Sequence, residues 1–231
     1  MREALPGAKM LIPFGGDGTM MSAAREAADF GTPILGINLG NKGFIAELEP
    51  EQTDQVLRAV SGDCGVETRI MLDVCIEREG KTAFSDCALN EIVIAGIAKM
   101  IDITVFTDGH KTLKFSGDGV IVSTPTGSTA YTLAAGGPVV EPSAENIIIT
   151  PICPYALFAR SFVLSPGRVV RIETGSLSDK QAYVTADGTE GITLRDGDII
   201  TVSKSRRVTR LIRLNSDSFY EKVYRKLGEK I

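Results

Sequence analysis

The sequence predicts a small parallel α/β layer, incomplete for its type, followed by a larger C-terminal β-sandwich. Three observations carry that expectation. Two apolar strand-to-helix steps fit inside the first sixty residues, and from Gly65 onward β-branched runs separated by Gly or Asp-Gly replace helix-forming stretches. The 231 residues, 43% hydrophobic and 23% charged, have the composition of an ordinary globular chain with material for a core.

The apolar run Met10-Leu11-Ile12-Pro13-Phe14 reads as a buried strand entering the tight turn Gly15-Gly16. Residues 19–30 are rich in helix formers and are closed by Gly31 and Pro33. A second strand over 34–38 leads to the polar loop Gly40-Asn41-Lys42-Gly43. Residues 50–60 then read as a helix with Val56, Leu57 and Val60 on its buried face. Strands are expected at 71–77, 91–95, 101–107, 120–123, 147–150, 169–173, 182–186 and 199–202, as in a sandwich. A terminal helix over 216–227 has Asp217 near its start and Gly228 after it. The expected domains are 1–64, with 205–231 packing back on it, and 65–204.

Composition narrows the chemistry. A formal charge of −4 argues against a nucleic-acid partner, because that affinity comes from Lys and Arg displacing counterions. No apolar stretch approaches the ~20 residues of a membrane span and the start has no signal-peptide core, so a cytoplasmic protein without a membrane partner is expected. The four cysteines form no CxxC pair and read as reduced thiols, and no metal site is directly readable. The single histidine, His110, sits in a Thr-Asp-Gly-His-Lys turn, so histidine-based hydrolysis, zinc chemistry and phosphorelay lose their central residue. Any catalytic base is a carboxylate, a lysine or water.

The strongest motif is Gly15-Gly16-Asp17-Gly18-Thr19 at a strand-to-helix turn. Gly15, Gly16 and Gly18 let backbone approach a ligand, and a helix start at Thr19 offers N–H groups to phosphate. Asp17 opposes phosphate electrostatically unless it accepts a hydroxyl proton or meets Mg2+; the alternative is a helix-capping Asp in a structural turn. A second motif, Ser123 to Tyr131 after Asp118-Gly119, surrounds one Gly with hydroxyls and reads as a ligand loop or an ST-rich cap. Asn90-Glu91 offers an amide and a carboxylate suited to ribose hydroxyls or an adenine edge, or simply forms a strand-edge turn.

These residues resemble the bacterial NAD kinases, whose superfamily includes diacylglycerol and sphingosine kinases and 6-phosphofructokinases. The resemblance covers Gly15 to Thr19, Leu39 to Leu48, Leu89-Asn90-Glu91, Asp118-Gly119 with Ser123 to Tyr131, Ala135-Gly136-Gly137-Pro138 and Ala186-Asp187-Gly188. The Thr-Pro-Thr-Gly-Ser-Thr-Ala-Tyr segment marks the NAD kinase branch, while Met20-Met21 stands where the lipid kinases usually carry Asn-Glu.

The resemblance implies an NAD kinase-like fold with NAD held between its two parts. It also implies transfer of a phosphoryl group from ATP or polyphosphate, with Mg2+ or another divalent cation, to the 2′-hydroxyl of the adenosine ribose. Asp17 would orient or deprotonate that hydroxyl, Gly18 and Phe44 would line the cleft, and Asn90 and Glu91 would hold the adenosine end. Thr129, Ala130 and Tyr131 would contact the adenine region, Asp118 would lie toward nicotinamide, and Asp187 would approach the ribose or its phosphate. A homodimer or homotetramer is implied, with 152–162 as the candidate contact.

Departures from the family pattern are Ser116, where many relatives carry Arg or Lys, Asn41-Lys42, and the 14 residues that precede Gly15. The last makes the α/β layer smaller than usual and sets a non-catalytic NAD-binding fragment beside the enzyme; a lipid or sugar-phosphate kinase is the more distant alternative.

Overall fold

A computed structural model describes residues 2–40, 43–156, 158–215 and 219–228. The loop pair Asn41-Lys42, Leu157 of the expected subunit contact, and Ser216 and Asp217 at the expected helix start lie outside these residues. The chain divides into two compact units, Met1–Arg69 with Arg207–Ile231, and Ile70–Arg206.

In the first unit, β1 (Phe14–Gly15) leads into α1 (Asp17–Ala28) and pairs in parallel with β2 (Ile37–Asn38). Isolated parallel bridges Leu11↔Ile34, Ile34↔Leu211 and Ile37↔Leu48 widen this layer. Most of the expected strands at 10–14 and 34–38 is therefore extended chain held by single bridges. Helix α1 buries Met20, Ala23, Ala24 and Ala27, the i, i+3, i+4, i+7 stripe of a core-facing helix. It starts two residues before the expected Thr19 because extended Gly16 serves as N-cap, which places Asp17 in the first turn.

Residues 50–60 differ from expectation. A 3-10 segment, Pro50–Gln55, precedes the short helix α2 (Val56–Ser61), which Gly62 ends in the left-handed region. Ala59 is buried and Val56 packs beside it, whereas Leu57 is 73% and Val60 61% exposed. The six-residue helix presents its 56/59 edge to the core of Leu35, Ile37, Leu48 and Ile212, which turns the 57/60 edge outward.

The second unit contains two six-stranded sheets. The strands, in chain order, are β3 (Gly65–Arg78), β4 (Lys81–Ala88), β5 (Glu91–Ile97), β6 (Ile101–Thr107), β7 (His110–Gly117) and β8 (Gly119–Ser123). After the single-turn helix α3 (Tyr131–Ala134) come β9 (Ile147–Ile152), β10 (Phe162–Leu164), β11 (Val170–Thr174), β12 (Gln181–Ala186), β13 (Ile192–Thr193) and β14 (Ile199–Arg213). One sheet runs β10-β9-β8-β5-β12-β13 and the other β4-β3-β14-β11-β6-β7. β3 and β14 each cross the boundary between units, and α4 (Phe219–Gly228) closes the first.

Alternating residues from both sheets fill the sandwich core: Ile92, Ile94, Val120, Val122, Ile147 and Ile149 from one, Leu72, Val74, Ile103, Val105, Ile200 and Val202 from the other. The opposite face of the first sheet carries a smaller cluster of Val93, Ala95, Ile121 and Ile152. His110 is exposed and all four cysteines are free. No described helix is long and apolar enough to cross a membrane.

The turn entering β14 is held by a buried ion pair. The Asp198 carboxylate, with no side-chain exposure, accepts from Arg78 Nε at 2.8 Å and Nη2 at 2.7 Å, and from the Arg195 N–H at 2.9 Å. Burial alone would raise the Asp198 pKa, but Arg78 and the Arg195 N–H outweigh it and hold it below the usual carboxylate range. An acid group with a lowered folded pKa stabilises the fold above its unfolded pKa and loses that contribution as pH falls through the folded value. Asp198→Asn is expected to cost about 3 kcal/mol at pH 7 in urea denaturation, and the deficit should shrink below about pH 4. A deficit independent of pH would show that the carboxylate charge is not what holds the turn.

Candidate active site

The Gly-Gly-Asp-Gly-Thr turn joins β1 to α1. Thr19 and Met20 donate their N–H groups to the Gly16 carbonyl at 3.0 and 3.1 Å, while Gly18 and Thr19 stay exposed. Gly15 is required by space, because a Cβ there would stand 2.7 Å from that of Thr19. Asp17 is half-buried. Its Oδ2 accepts from the Phe44 N–H at 2.9 Å and its Oδ1 from the Ile45 N–H at 3.3 Å.

The loop after β2 is shaped for this contact. The Leu39 N–H reaches the Gly15 carbonyl at 3.2 Å, and the Gly40 N–H reaches Asn38 Oδ1 at 3.2 Å. A Cβ on Gly43 would run into the Asp17 carboxylate. Asp17, Gly18 and Phe44 thus belong to one local structure: a carboxylate at the N-terminus of a twelve-residue helix, oriented by two loop amides and flanked by open glycine backbone.

In the second unit, Asn90 and Glu91 lie at the start of β5 and are almost entirely buried. Asp187, in the left-handed region at φ 51°, accepts from the N–H groups of Leu89, Asn90 and Glu91 at 2.7, 2.8 and 3.1 Å. Its carboxylate is therefore the clamp of the Leu89-Asn90-Glu91 turn. Burial first, and then the negative charge of Asp187, push the Glu91 carboxyl up to about 8, so it carries its proton at neutral pH. Glu91 Oε2 is buried with no hydrogen-bond partner among the described residues.

The hydroxyl-rich segment divides into two parts. Thr124 Oγ1 donates to the Leu89 carbonyl at 2.6 Å and accepts from the Gly127 N–H at 3.1 Å; Ser128 Oγ donates to the Pro125 carbonyl at 2.7 Å, and Thr132 Oγ1 to Ser123 Oγ at 2.8 Å. These hydroxyls build the loop and are buried. Thr129 and Ala130 are only half-buried, and Tyr131 is 43% exposed.

Tyr131 and Asp118 open onto one cavity of about 490 Å³, lined also by Lys99, Cys153 and Tyr183, a volume in the range of small-molecule sites. Cys153 and Tyr183 carry no motif in the sequence; register alone places Tyr183 opposite Ala95. The Cys153 thiol is raised by its hydrogen bond to Asp118.

Two domain models match this architecture: the ATP-NAD kinase N-terminal domain over residues 2–63 and the ATP-NAD kinase C-terminal domain over 89–214. An NAD kinase of Acetivibrio thermocellus is 41% identical over 215 residues, covering 92% of this chain and 74% of the relative. One from Moorella thermoacetica is 41% identical over 98% of this chain and 73% of its own. Among solved structures, the yeast NADH kinase complexed with NADH superposes with a TM-score of 0.88 at 27% identity, covering 96% of this chain and 67% of that one. An NAD kinase from Archaeoglobus fulgidus in complex with ATP superposes with a TM-score of 0.78 at 30% identity, covering 96% and 84%. With both domain models satisfied in order and bacterial relatives aligned along almost its whole length, the chain belongs to the NAD kinase family of phosphotransferases.

Proposed function

We propose that Asp17 is the group that orients and deprotonates the acceptor hydroxyl in this kinase, the 2′-hydroxyl of the adenosine ribose of NAD. The observation that carries this is a carboxylate at a helix N-terminus, held in place by the Phe44 and Ile45 amides. The acceptor oxygen bonds to the γ-phosphorus of the donor, the bond to the leaving phosphate oxygen breaks, and the hydroxyl proton passes to Asp17. The backbone of half-buried Gly16 and exposed Gly18 offers room and N–H groups to phosphate. ATP is the phosphoryl donor in this reading.

The described residues include no group of three or more His, Cys, Asp or Glu able to hold a metal. Mg2+ in this reading would arrive with the donor phosphates, the usual habit of that ion, and the Asp17 carboxylate at the start of α1 would stand beside it. When bound, the ion screens phosphate charge.

In this assignment the β-sandwich domain, 65–204, supplies the NAD-binding groups. Asn90 and protonated Glu91 hold the adenosine end, with Glu91 a hydrogen-bond donor. Thr129, Ala130 and Tyr131 meet the adenine region, and Asp118 lies toward nicotinamide. Asp187 acts on the ribose side through the turn it clamps. The oligomer is formed by copies of this chain meeting beside β10, where Tyr155 is 84%, Phe158 91% and Val163 50% exposed.

Three outcomes are expected. Asp17→Asn should lower kcat at least ~100-fold with NAD affinity held within about threefold, since the loss is of proton transfer; near-normal NADP formation from NAD, ATP and Mg2+ would end the assignment. Glu91→Gln should be more stable than the parent at pH 7, by up to about 4 kcal/mol. A carboxyl with a raised folded pKa costs stability as pH climbs from about 4 to its folded value. The advantage should therefore grow between pH 4 and 8 and vanish below pH 4, and a flat difference in chemical denaturation would exclude a proton on folded Glu91. Phe158→Asp should lower the sedimenting mass; unchanged mass would move the subunit contact elsewhere.

A further inference from the structure

We propose that Arg213 is a positioning residue for Asp17, acting through the backbone of Ile45. This rests on the catalytic assignment of Asp17 made above. Ile45 connects the two side chains through its own backbone. Its N–H donates to Asp17 Oδ1, and its carbonyl accepts from Arg213 Nη1 at 3.1 Å.

Arg213 is in turn fixed by two carboxylates. Nη1 also reaches Glu47 Oε2 at 3.0 Å, and Nε reaches Glu67 Oε2 at 2.7 Å. Glu47 has 1% side-chain exposure and Arg213 17%. The other Glu47 oxygen accepts from the N–H groups of Leu214 and Asn215 at 2.9 and 2.7 Å, and Lys222 Nζ stands 3.8 Å from Oε2. Glu67 is held from its other side by Arg69 at 2.8 Å. Burial alone would raise the Glu67 pKa, but Arg69 and Arg213 outweigh it and hold Glu67 below the usual carboxylate range.

The loop carrying Phe44 and Ile45 has no ladder of its own at those residues, and beside the burial of Ile45 it is these side chains that hold its backbone there. A guanidinium sends donors in fixed directions at once, toward Ile45, Glu47 and Glu67; a lysine ammonium is a point charge on a flexible stem and does not span all three. Charge balance and loop placement are therefore separable. Arg213→Lys keeps the first and gives up the second.

The experiment is a double-mutant cycle of Arg213→Lys with Asp17→Asn, measuring kcat and KM for NAD together with thermal midpoints. Arg213→Lys alone should lower kcat at least tenfold with KM changed less than threefold. In the Asp17→Asn background it should leave the residual turnover unchanged, because no carboxylate remains to be aimed. An equal fall in both backgrounds, or a kcat within twofold of the parent, overturns the proposal while leaving Asp17 in its role. Full turnover by Asp17→Asn alone overturns the catalytic assignment and this inference with it. If Arg213→Lys does not fold, Glu67→Gln, which removes the negative charge behind Nε and leaves a single oxygen to accept from Arg213 or Arg69, takes its place in the same cycle. The expected sign is the same, and equal losses in both backgrounds overturn the proposal.

Discussion

Backbone N–H groups in loops must find acceptors even where no strand runs beside them, and in this protein carboxylates provide them. Asp17 takes the amides of Phe44 and Ile45, Glu47 those of Leu214 and Asn215, and Asp187 those of Leu89, Asn90 and Glu91. Charged acceptors make stronger hydrogen bonds than neutral ones, so each carboxylate fixes a stretch of chain that propensity alone leaves open. Two of these stretches, Phe44-Ile45 and Leu89-Asn90-Glu91, lie in motifs that carry the family resemblance. The geometry of the candidate site is set by where a few acids sit rather than by the sheets.

The arrangement has an electrostatic cost that falls on one residue. Three amides converge on the Asp187 carboxylate, and its negative charge acts on Glu91 in a desolvated place. Glu91 responds by keeping its proton, which converts an acceptor-only side chain into one that donates. A buried acid beside a clamped one thus becomes a neutral donor, first because burial disfavours its charged form and then because Asp187 repels that charge.

Much of this was legible in the chain. The Gly-Gly-Asp-Gly-Thr turn announced a strand, a turn and a helix, and the strand at 101–107 fell on its observed bounds because Ile101, Ile103 and Val105 alternate cleanly. Strand β4 was hidden, since its sequence Lys-Thr-Ala-Phe-Ser-Asp-Cys-Ala buries only the last two residues. The far half of β14 was hidden for a related reason: Ser205 and Thr209 fill buried positions where periodicity looks for apolar side chains. Leu57 and Val60 misled in the opposite sense, because a helix of six residues is oriented by its neighbours more than by its own stripe. The hydroxyls of 123–132 were visible as a cluster, but sequence could not tell the buried ones that tie the loop to Leu89 from those that face solvent. Glu47 stood out only as an acid in the apolar run Phe44-Ile45-Ala46-Glu47-Leu48, and its partner Arg213 lies far off in sequence.

The proton on Glu91 also changes the charge of the molecule as a whole. The formal tally of −4 counts every Glu as ionised, so at neutral pH this residue leaves the folded chain one negative charge short of that figure. Unfolding ionises it. Through Glu91, the native protein focuses at a higher pH than the same chain in urea.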